Sequence, residues 1–442
     1  MSPRTLVARI DDALVGQLQE TAGLWSFRYS EAWLSAPGRF ALSPALPLQP
    51  EPIADGASSR PVQWYFDNLL PEEGQRTLLA KDARIDVADA FSLLTWYGAE
   101  SAGSLTLSPP DAAPEQRAVL HPLTDAALSE RIRQLPRAPL TRAAVKRMSL
   151  AGAQHKLAVV FQDDALFEPS GAFASAHILK PDHPDQDYPH SVANEWFVMQ
   201  LAQALGLEVP AVHRRYVPEP VFLIERFDRV REDSPEGAIW RRRHAIDACQ
   251  LLGMDRSFKY AQGSIERLAE LARMCRSPAV ARTRLLNWLI FNVLTGNSDA
   301  HLKNLSFLVG PAGIQLALHY DMLSVGVYDS RAFGKQGWPE HTTLAWPILD
   351  ATRFSQVDRG LILQAARELG INRSTADRVL AQQRDRILTT AETLYRQFDN
   401  DASRRLQTKP ELGPTLAGES RCLRAVIHTV IKEMVVRLAG KT

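Results

Sequence analysis

Apolar and polar residues alternate with a period of two through much of the first hundred residues. The segments LVARI, ALVGQL, LWSFRYS and FALSPALPL therefore predict short β-strands joined by turns and proline-rich connections. Residues 62–81 change to a helical period, a second helix begins near Asp86, and SLTLS returns as a strand before a proline-rich linker at residues 109–114. This pattern indicates a β-rich N-terminal region with a few short helices.

The middle of the chain carries stronger apolar runs. SLAGAQHKLAVVF, ASAHILKP and VFLIERFDRV predict strands, and SVANEWFVMQLAQALG predicts a helix that Ser191 caps and Gly206 ends. Farther along, the period is helical in HAIDACQLLGM, SIERLAELARM and residues 281–294, and again in residues 376–398 and 420–440. A predicted hairpin of LSFLV and IQLAL interrupts these helices.

This order of elements predicts an α+β protein. We expect a β-rich subdomain with short helices over residues 1–140, a mixed region over residues 141–230, and a mostly helical region over residues 231–442.

Composition narrows the class of protein. The chain has 442 residues, 45% apolar and 23% charged, which is ordinary globular composition with room for more than one core. Fifty-one basic and fifty acidic residues leave a formal charge of +1, which excludes bulk attraction to nucleic acid or to an anionic membrane. Cys249, Cys275 and Cys422 lack metal-ligand spacing and are expected to be buried thiols. The sequence has no run of the about 20 apolar residues that a membrane-spanning helix requires. We therefore expect a soluble, cytoplasmic protein with no membrane partner.

Candidate chemistry concentrates in residues 291–321, FNVLTGNSDAHLKNLSFLVGPAGIQLALHYD. Asp299 and Asn304 are five residues apart, and Asp321 follows the predicted hairpin. In protein kinases, the catalytic-loop Asp accepts the proton of the substrate hydroxyl, an Asn five residues later binds one magnesium ion, and a later Asp binds the other. Phosphoryl transfer requires the protein mainly to fix geometry and neutralise charge, so these side chains are a minimum set for it.

The same spacing also has a plain structural interpretation, in which Asn304 caps a turn and Asp299 is solvated. The motif departs from the common kinase pattern, because Asn-Ser precedes Asp299 where His-Arg is usual, and Met-Leu follows Asp321 in place of Phe-Gly. Other parts of the chain must therefore distinguish the two interpretations.

Two further segments suit a nucleotide. The small residues Ala151, Gly152 and Ala153 would let backbone N–H groups approach a phosphate, although the segment is not a Walker loop and could equally be a tight turn. Lys180 ends a predicted strand, and Glu195 follows fifteen residues later in a helix, which is the order of the kinase lysine–glutamate pair. Glu195 could orient the Lys180 amine, or it could simply favour the positive end of the helix dipole.

Residues 225–227 end a strong strand at the point where a kinase passes from its small lobe to its large lobe, and their backbone groups would then meet adenine. Residues 141–230 would be the small lobe and residues 231–442 the large lobe. The sequence thus predicts a two-lobed, protein-kinase-like α+β fold with an additional N-terminal β-rich subdomain and a mostly helical C-terminal lobe.

Two other functions fit parts of the sequence. A metal-dependent phosphohydrolase could bind zinc or manganese, which His and carboxylate ligands suit, through His301, His319, Asp299 and Asp321. That alternative leaves Lys180 and the segment SLAGAQHK unexplained. A nucleotide-binding pseudokinase that serves only as a co-repressor is the other alternative, and the intact catalytic set argues against it.

The segments SLAGAQHK, HILKP, ANEWFVMQLAQALGL, ERFDR, NSDAHLKN and HYD occur in this order and, together with FDNLLP and GAESAG, resemble the HipA family over nearly the whole chain. The resemblance implies a kinase-fold serine/threonine kinase, using ATP and Mg²⁺, that is the toxin of a bacterial type II toxin–antitoxin pair. It implies that Asp299 is the catalytic base and that Asn304 and Asp321 are the magnesium ligands. The nucleotide site implied by the resemblance comprises Ala151, Gly152, Ala153, Gln154, His155, Lys156, Lys180, Glu225, Arg226, Phe227, His301, Leu302, Lys303, Asn304, Tyr320 and Asp321.

The resemblance also implies regulation and partners. Ser149 matches a serine that such kinases phosphorylate on themselves, and the added charge of about −2 ejects the phosphate loop and switches the kinase off. The implied partner is a small HipB-like helix-turn-helix antitoxin, through which the chain would associate indirectly with operator DNA. The implied target is a protein serine, for example in an aminoacyl-tRNA synthetase, whose phosphorylation halts translation. His155 is a departure, because related sequences carry an acidic residue between the Gln and the Lys.

Overall fold

The computed structural model describes residues 3–112, 118–148, 150–234 and 237–440, which cluster into two compact units. The first unit contains the chain up to Pro181 together with Leu223–Phe258 and Ser306–Ala317. The second unit contains Asp182–Phe222, Lys259–Leu305 and the chain from Leu318 onward. The predicted boundaries near residues 140 and 230 stay a prediction.

The strands of the described residues are β1 Arg4–Ile10, β2 Ala13–Thr21, β3 Leu24–Tyr29, β4 Ile53–Ala54, β5 Leu105–Ser108, β6 Val119–Pro122, β7 Leu157–Gln162, β8 Ala165–Ser170, β9 His177–Pro181, β10 Val212–Tyr216, β11 Pro220–Glu225, β12 Arg229–Ser234, β13 Gly237–Arg242, β14 Ala245–Asp247, β15 Ser306–Gly310, β16 Gly313–Leu316, β17 Thr343–Ile348 and β18 Ala351–Arg353.

The α-helices of the same residues are α1 Glu31–Ser35, α2 Pro61–Asp67, α3 Glu73–Ala83, α4 Ala90–Tyr97, α5 Asp125–Arg133, α6 Ser191–Ala204, α7 Ala248–Leu251, α8 Ile265–Met274, α9 Pro278–Leu294, α10 Arg359–Glu368, α11 Arg373–Thr408, α12 Gly413–Ala425 and α13 Lys432–Leu438. A π-helical segment, Val426–Ile431, joins α12 to α13.

The first unit begins with an antiparallel sheet in the order β4-β3-β2-β1-β5. Alternate side chains point into its core, as Trp25, Phe27 and Tyr29 of β3 do. The strands predicted from LVARI, ALVGQL, LWSFRYS and SLTLS are therefore confirmed. Gly16 of β2 has no room for a side chain, since an added Cβ would lie 2.2 Å from the carbonyl oxygen of Arg28 on β3.

The strand predicted from FALSPALPL is wrong. Residues 40–48 contain only an isolated bridge between Ser43 and Leu46. Pro44 and Pro47 have no backbone N–H to donate and fix their own φ angles, so the segment cannot sustain a ladder despite its apolar alternation. The helical period predicted over residues 62–81 is confirmed and corresponds to two helices, α2 and α3, with Pro71 between them.

A second sheet of the first unit contains β6 to β9, in which β9 pairs with β7, β7 with β8 and β8 with β6. The predicted hairpin is confirmed, because β15 pairs with β16 up to Gly310 and Gly313, and β14 adds to its other edge. The predicted phosphate loop, residues 151–156, immediately precedes β7, and Lys180 lies on β9.

The second unit is mostly helical, as predicted for the C-terminal region. Helix α9 is buried along most of its length and carries Trp288 and Phe291 into the core. The predicted burial of the cysteines is confirmed for Cys275 and Cys422 here and for Cys249 in the first unit. Over the part of the chain that the structure describes, no helix combines the length and apolar character that crossing a membrane requires.

Candidate functional site

The loop that carries Asp299 begins where α9 ends. Gly296 adopts a φ of 64°, a left-handed conformation that costs a residue with a side chain about 1–2 kcal/mol, and it follows the helix end as predicted. The side-chain amide of Asn297 donates to Asn292 Oδ1 at 2.7 Å, and Asn297 Oδ1 accepts the backbone N–H of Asp299 at 3.1 Å. Both ends of this buried amide therefore guide the chain out of the helix.

Asp299 and Asn304 lie on one closed turn. Asn304 Nδ2 donates a hydrogen bond to the backbone carbonyl of Asp299 at 2.9 Å, across the five-residue interval. Residues Leu302–Asn304 form a short 3₁₀ helix inside this turn, and His301 O accepts the Asn304 N–H at 3.0 Å. Asn304 is buried, whereas Asp299 is partly exposed. The amide nitrogen of Asn304 thus caps the turn, as the structural interpretation predicts, while its oxygen end is turned away from that bond.

Two aromatic residues from elsewhere in the second unit hold the same loop. The Tyr260 hydroxyl donates to Asp299 Oδ1 at 2.5 Å, and the Trp346 indole Nε1 donates to Ala300 O at 3.0 Å. Sequence reasoning missed both residues, because they lie about forty positions from the loop and neither belongs to a local motif.

Asp321 and Tyr320 follow the hairpin as predicted. The Tyr320 hydroxyl donates to the backbone carbonyl of Lys303 at 2.8 Å, which brings the chain beside Asp321 to the loop of Asp299. Asp321 has a φ of 57°, a conformation that is uncommon outside glycine and that tends to occur at functional sites. The Asn304 amide oxygen and the Asp321 carboxylate are hard oxygen donors of the kind that Mg²⁺ prefers, so these residues fit the predicted ion.

The alternative metal site receives no support from the geometry. His319 is fully buried, with its ring stacked on Trp288 at a centroid distance of 6.3 Å. Burial, and after it the charge of Arg284, lowers the pKa of His319 to about 3. Within the described ranges, no three His, Cys, Asp or Glu side chains gather into a group that could bind a metal. A phosphohydrolase centre built on His319 therefore lacks its ligand set.

The predicted phosphate loop lies in the first unit, immediately before β7. Gly152 has a φ of 107°. The Lys156 amine donates to the backbone carbonyl of Ala151 at 2.7 Å, so the lysine side chain folds back onto the loop. Gly152 also forms an isolated parallel bridge with Pro71, and its carbonyl accepts the Glu72 N–H at 3.3 Å. This backbone has the glycine and lysine of the predicted loop, and its contact with phosphate stays a prediction.

The other members of this segment lie beside the start of α3. The His155 Nδ1 meets the side-chain amide of Gln75, and Gln154 lines a small cavity of about 20 Å³ with Gln75, Leu79 and other residues. The volume suffices for one water molecule. Ala153 is exposed at the tip of the loop. Ser149, the predicted autophosphorylation site, lies outside the described residues.

Lys180 is a buried residue of β9. The antiparallel register pairs Leu157 of β7 with Leu179 of β9, so Lys156 and Lys180 flank the last pair of this ladder. The structure thus places the strand lysine next to the end of the predicted phosphate loop. Glu195 is buried in α6, in the second unit, and its pairing with Lys180 stays a prediction.

Glu225 is the last residue of β11, and Arg226 and Phe227 follow it. The single strand predicted from VFLIERFDRV is wrong, because the chain leaves β11 after Glu225 and β12 begins at Arg229. The Arg226 N–H donates to Ala176 O at 2.9 Å, so an adenine contact in this segment would have to come from another backbone group. The Arg226 side chain is also committed, because its guanidinium binds the buried carboxylates of Asp228 at 2.6 Å and Glu100 at 3.2 Å.

Glu100 is the centre of a buried ion cluster that the sequence did not reveal. It has no exposed surface and lies within 3.5 Å of four cationic side chains, those of Arg226, Arg229, Arg242 and Lys146. Burial alone would raise the pKa of Glu100, but these cations hold it well below its ordinary value. The cluster joins the GAESAG segment to the segment that follows β11 within the first unit.

Two family models match the chain. A model described as the HipA-like C-terminal domain matches residues 148–391, and one described as the HipA N-terminal domain matches residues 6–108. Together they cover both the β-rich region and the residues predicted to bind nucleotide.

Two relatives and one solved structure resemble most of the chain. The protein Y4mE of Sinorhizobium fredii is 38% identical over 74% of this chain and 79% of its own length. The serine/threonine-protein kinase toxin HipA of Shewanella oneidensis is 32% identical over 74% of this chain and 76% of its own length. A chain from the solved complex of the Shewanella oneidensis toxin–antitoxin system, HipA with HipB and operator DNA, matches with a TM-score of 0.74 and 25% identity. That match covers 99% of this chain and 100% of the other, and it confirms the predicted α+β, kinase-like fold class.

Proposed function

The chain belongs to the HipA family, and from that premise we propose that it is an ATP- and magnesium-dependent serine/threonine-protein kinase acting as the toxin of a toxin–antitoxin pair. The observation that carries the proposal is the hydrogen bond from the Asn304 amide to the Asp299 backbone. It closes a loop that holds a partly exposed carboxylate and an amide oxygen on one turn, which is the arrangement that phosphoryl transfer requires.

Each predicted site residue has a role in this proposal. Asp299 accepts the proton of the acceptor hydroxyl, and Asn304 and Asp321 would hold magnesium. Lys180 and residues 151–156 bind the phosphates of ATP, and residues 225–227 contact adenine. Magnesium, when bound with ATP, neutralises charge on the phosphate oxygens.

The proposed reaction forms one bond and breaks one. The oxygen of the acceptor serine attacks the γ-phosphorus, the bond from that phosphorus to the bridging oxygen of ADP breaks, and the hydroxyl proton passes to Asp299. The chain's own contribution is mainly to aim the hydroxyl, because the transition state of such transfers is loose and needs little covalent assistance.

Regulation and partners follow from the same proposal. We infer that Ser149 is an autophosphorylation site whose charge releases the phosphate loop. The proposed partner is a HipB-like antitoxin, since the structurally similar chain comes from a complex with HipB and operator DNA. The proposed acceptor is a serine of a translation protein such as an aminoacyl-tRNA synthetase, which would place the activity in the cytoplasm.

Transfer of label from ATP tests the proposal. The full chain is incubated with γ-labelled ATP and Mg²⁺, with casein as acceptor, and the labelled residues are identified by mass spectrometry. We expect label on casein and on Ser149 of the wild type, and its loss in Asp299→Asn and Asp321→Asn and in the presence of a chelator. Asp350→Asn is the matched control, because Asp350 is exposed in the turn between β17 and β18.

Two outcomes would overturn the proposal. Undiminished label in Asp299→Asn would show that this carboxylate is not the base. ATP binding without any transfer, together with operator binding by a partner antitoxin that improves when this chain is added, would favour the pseudokinase co-repressor.

A further inference from the structure

A phenol from outside the loop lies on the proposed catalytic carboxylate. The Tyr260 hydroxyl donates to Asp299 Oδ1 at 2.5 Å, a short hydrogen bond to a charged acceptor. About 38% of the Tyr260 surface is exposed, and Asp299 is partly exposed as well, so this hydrogen bond lies near the protein surface. Nothing in the motif around Asp299 anticipates it, because 39 positions separate the two residues.

The ring of Tyr260 is held by its neighbours. It packs against the edge of His301, with the two ring centroids 5.1 Å apart and the planes at 80°. The Lys259 amine lies over its face, 5.1 Å from the centroid. These contacts on two sides restrict the ring and so fix the direction of its hydroxyl.

The backbone that carries Tyr260 is tied to the loop as well. The carbonyl of Lys259 accepts the Leu302 N–H at 3.1 Å, two positions before Asn304. Tyr260 O then accepts the Gly263 N–H at 3.0 Å, and Gly263 packs so closely on Trp346 that an added Cβ would lie 2.5 Å from its Cγ. Because Trp346 in turn donates to Ala300 O, the segment 259–263 and the loop of Asp299 form one braced assembly.

We propose that Tyr260 is a positioning residue for Asp299, a role that rests on the kinase function proposed above. Its hydroxyl holds Oδ1 and thereby sets the rotation of the carboxylate that receives the acceptor hydroxyl. The transition state of phosphoryl transfer is loose, so catalysis depends more on the orientation of the Asp299 carboxylate than on its basicity. A hydrogen bond that fixes this orientation therefore favours the reaction.

Substitution of Tyr260 separates this role from simple packing. Tyr260→Phe keeps the ring and removes the hydroxyl, whereas Tyr260→His keeps an aromatic ring with a donor. With casein as acceptor, we expect kcat to fall about 10-fold to 100-fold in Tyr260→Phe, because hydrogen bonds to charged groups have about that effect. The KM for ATP should change by less than about 2-fold. Tyr260→His should be more active than Tyr260→Phe.

A packing role predicts the opposite order, since Phe resembles Tyr more closely in shape than His does. Tyr395→Phe is the matched control, because it removes a phenol hydroxyl that bonds Ser420 at 2.8 Å on another face of the second unit, and it should leave kcat unchanged. If the wild type transfers phosphate and Tyr260→Phe equals it or exceeds it, Tyr260 does not position the base. A wild type that transfers no phosphate overturns this inference together with the function on which it rests.

Discussion

The side-chain amide of Asn304 donates a hydrogen bond to the backbone carbonyl of Asp299 at 2.9 Å. This bond gives the five-residue interval a physical meaning, because it closes the loop and fixes where both side chains begin. One residue thus serves the shape of the loop through its nitrogen and, in the proposed reaction, magnesium through its oxygen.

Replacing Asn304 by Asp separates these two uses. The variant keeps an oxygen ligand but loses the N–H donor, so the loop opens and we expect kcat to fall by about 10-fold or more. Steady-state phosphate transfer measures the effect. Asn372→Asp is the matched control, because the Asn372 oxygen caps α11 at Thr375 N and an Asp oxygen can do the same. Full activity in Asn304→Asp would contradict a role for the amide nitrogen.

The ring of Trp338 packs on two glycines that support the loop of Asp299. A Cβ on Gly326 would lie 2.5 Å from a Trp338 ring carbon, and the Gly326 N–H donates to Gly296 O at 2.8 Å. Gly326→Ala should therefore destabilise the second unit by about 1–3 kcal/mol, because a rigid ring cannot yield as a flexible side chain can. Urea denaturation measures the loss.

Gly74→Ala is the control for that substitution, since Gly74 lies in α3 with open space around it and an alanine there should be neutral or stabilising. Adding Trp338→Leu to Gly326→Ala should restore part of the lost stability. Equal midpoints for the wild type and Gly326→Ala would show that the ring can move.

The buried carboxylate of Glu100 should be among the costliest positions to neutralise in the first unit. Glu100→Gln leaves several buried cations without their shared anion, and we expect a loss of about 3–5 kcal/mol. Glu232→Gln is the matched control, because Glu232 pairs with Arg241 while both side chains are about half exposed, and its loss should lie within about 1 kcal/mol. Apparent thermal midpoints of the two variants test the contrast, and similar shifts in both would contradict it.

Asp182 should make the stability of the second unit depend on pH. Burial raises the pKa of Asp182 to about 7, the N–H of Val192 opposes the shift, and Glu419 acts in the direction of burial. An Asp of the unfolded chain has a pKa of about 4, so the folded chain binds more protons between about pH 4 and about pH 7. The contribution of Asp182 to stability therefore falls as pH rises through this window, by an amount on the order of 4 kcal/mol.

Asp182→Asn removes this titration while keeping an oxygen for the Val192 N–H at the start of α6. The melting temperature of the variant minus that of the wild type should rise between about pH 5 and about pH 8. Calorimetry across this range measures the difference. A difference that stays constant with pH would mean that Asp182 does not titrate there.

Local patterns predicted much of the architecture. The alternation in LWSFRYS predicts a strand, because β3 buries one of its two faces. The apolar run of residues 281–294 predicts a helix, because α9 is buried over most of its surface. The strand predicted from FALSPALPL was wrong for a local reason as well, because its prolines lack the backbone N–H groups that a strand ladder requires. These features depend on neighbours a few residues apart.

The candidate site divides in the same way. The sequence by itself determined the order and spacing of Asp299, Asn304 and Asp321, since residues on one short loop are held near each other by the chain alone. Only the tertiary structure brought Tyr260 to Asp299 and Arg226 to Glu100, across 39 and 126 positions. Such contacts arise from the packing of separate elements. The local pattern of apolar and polar residues does not indicate which distant side chains will come into contact.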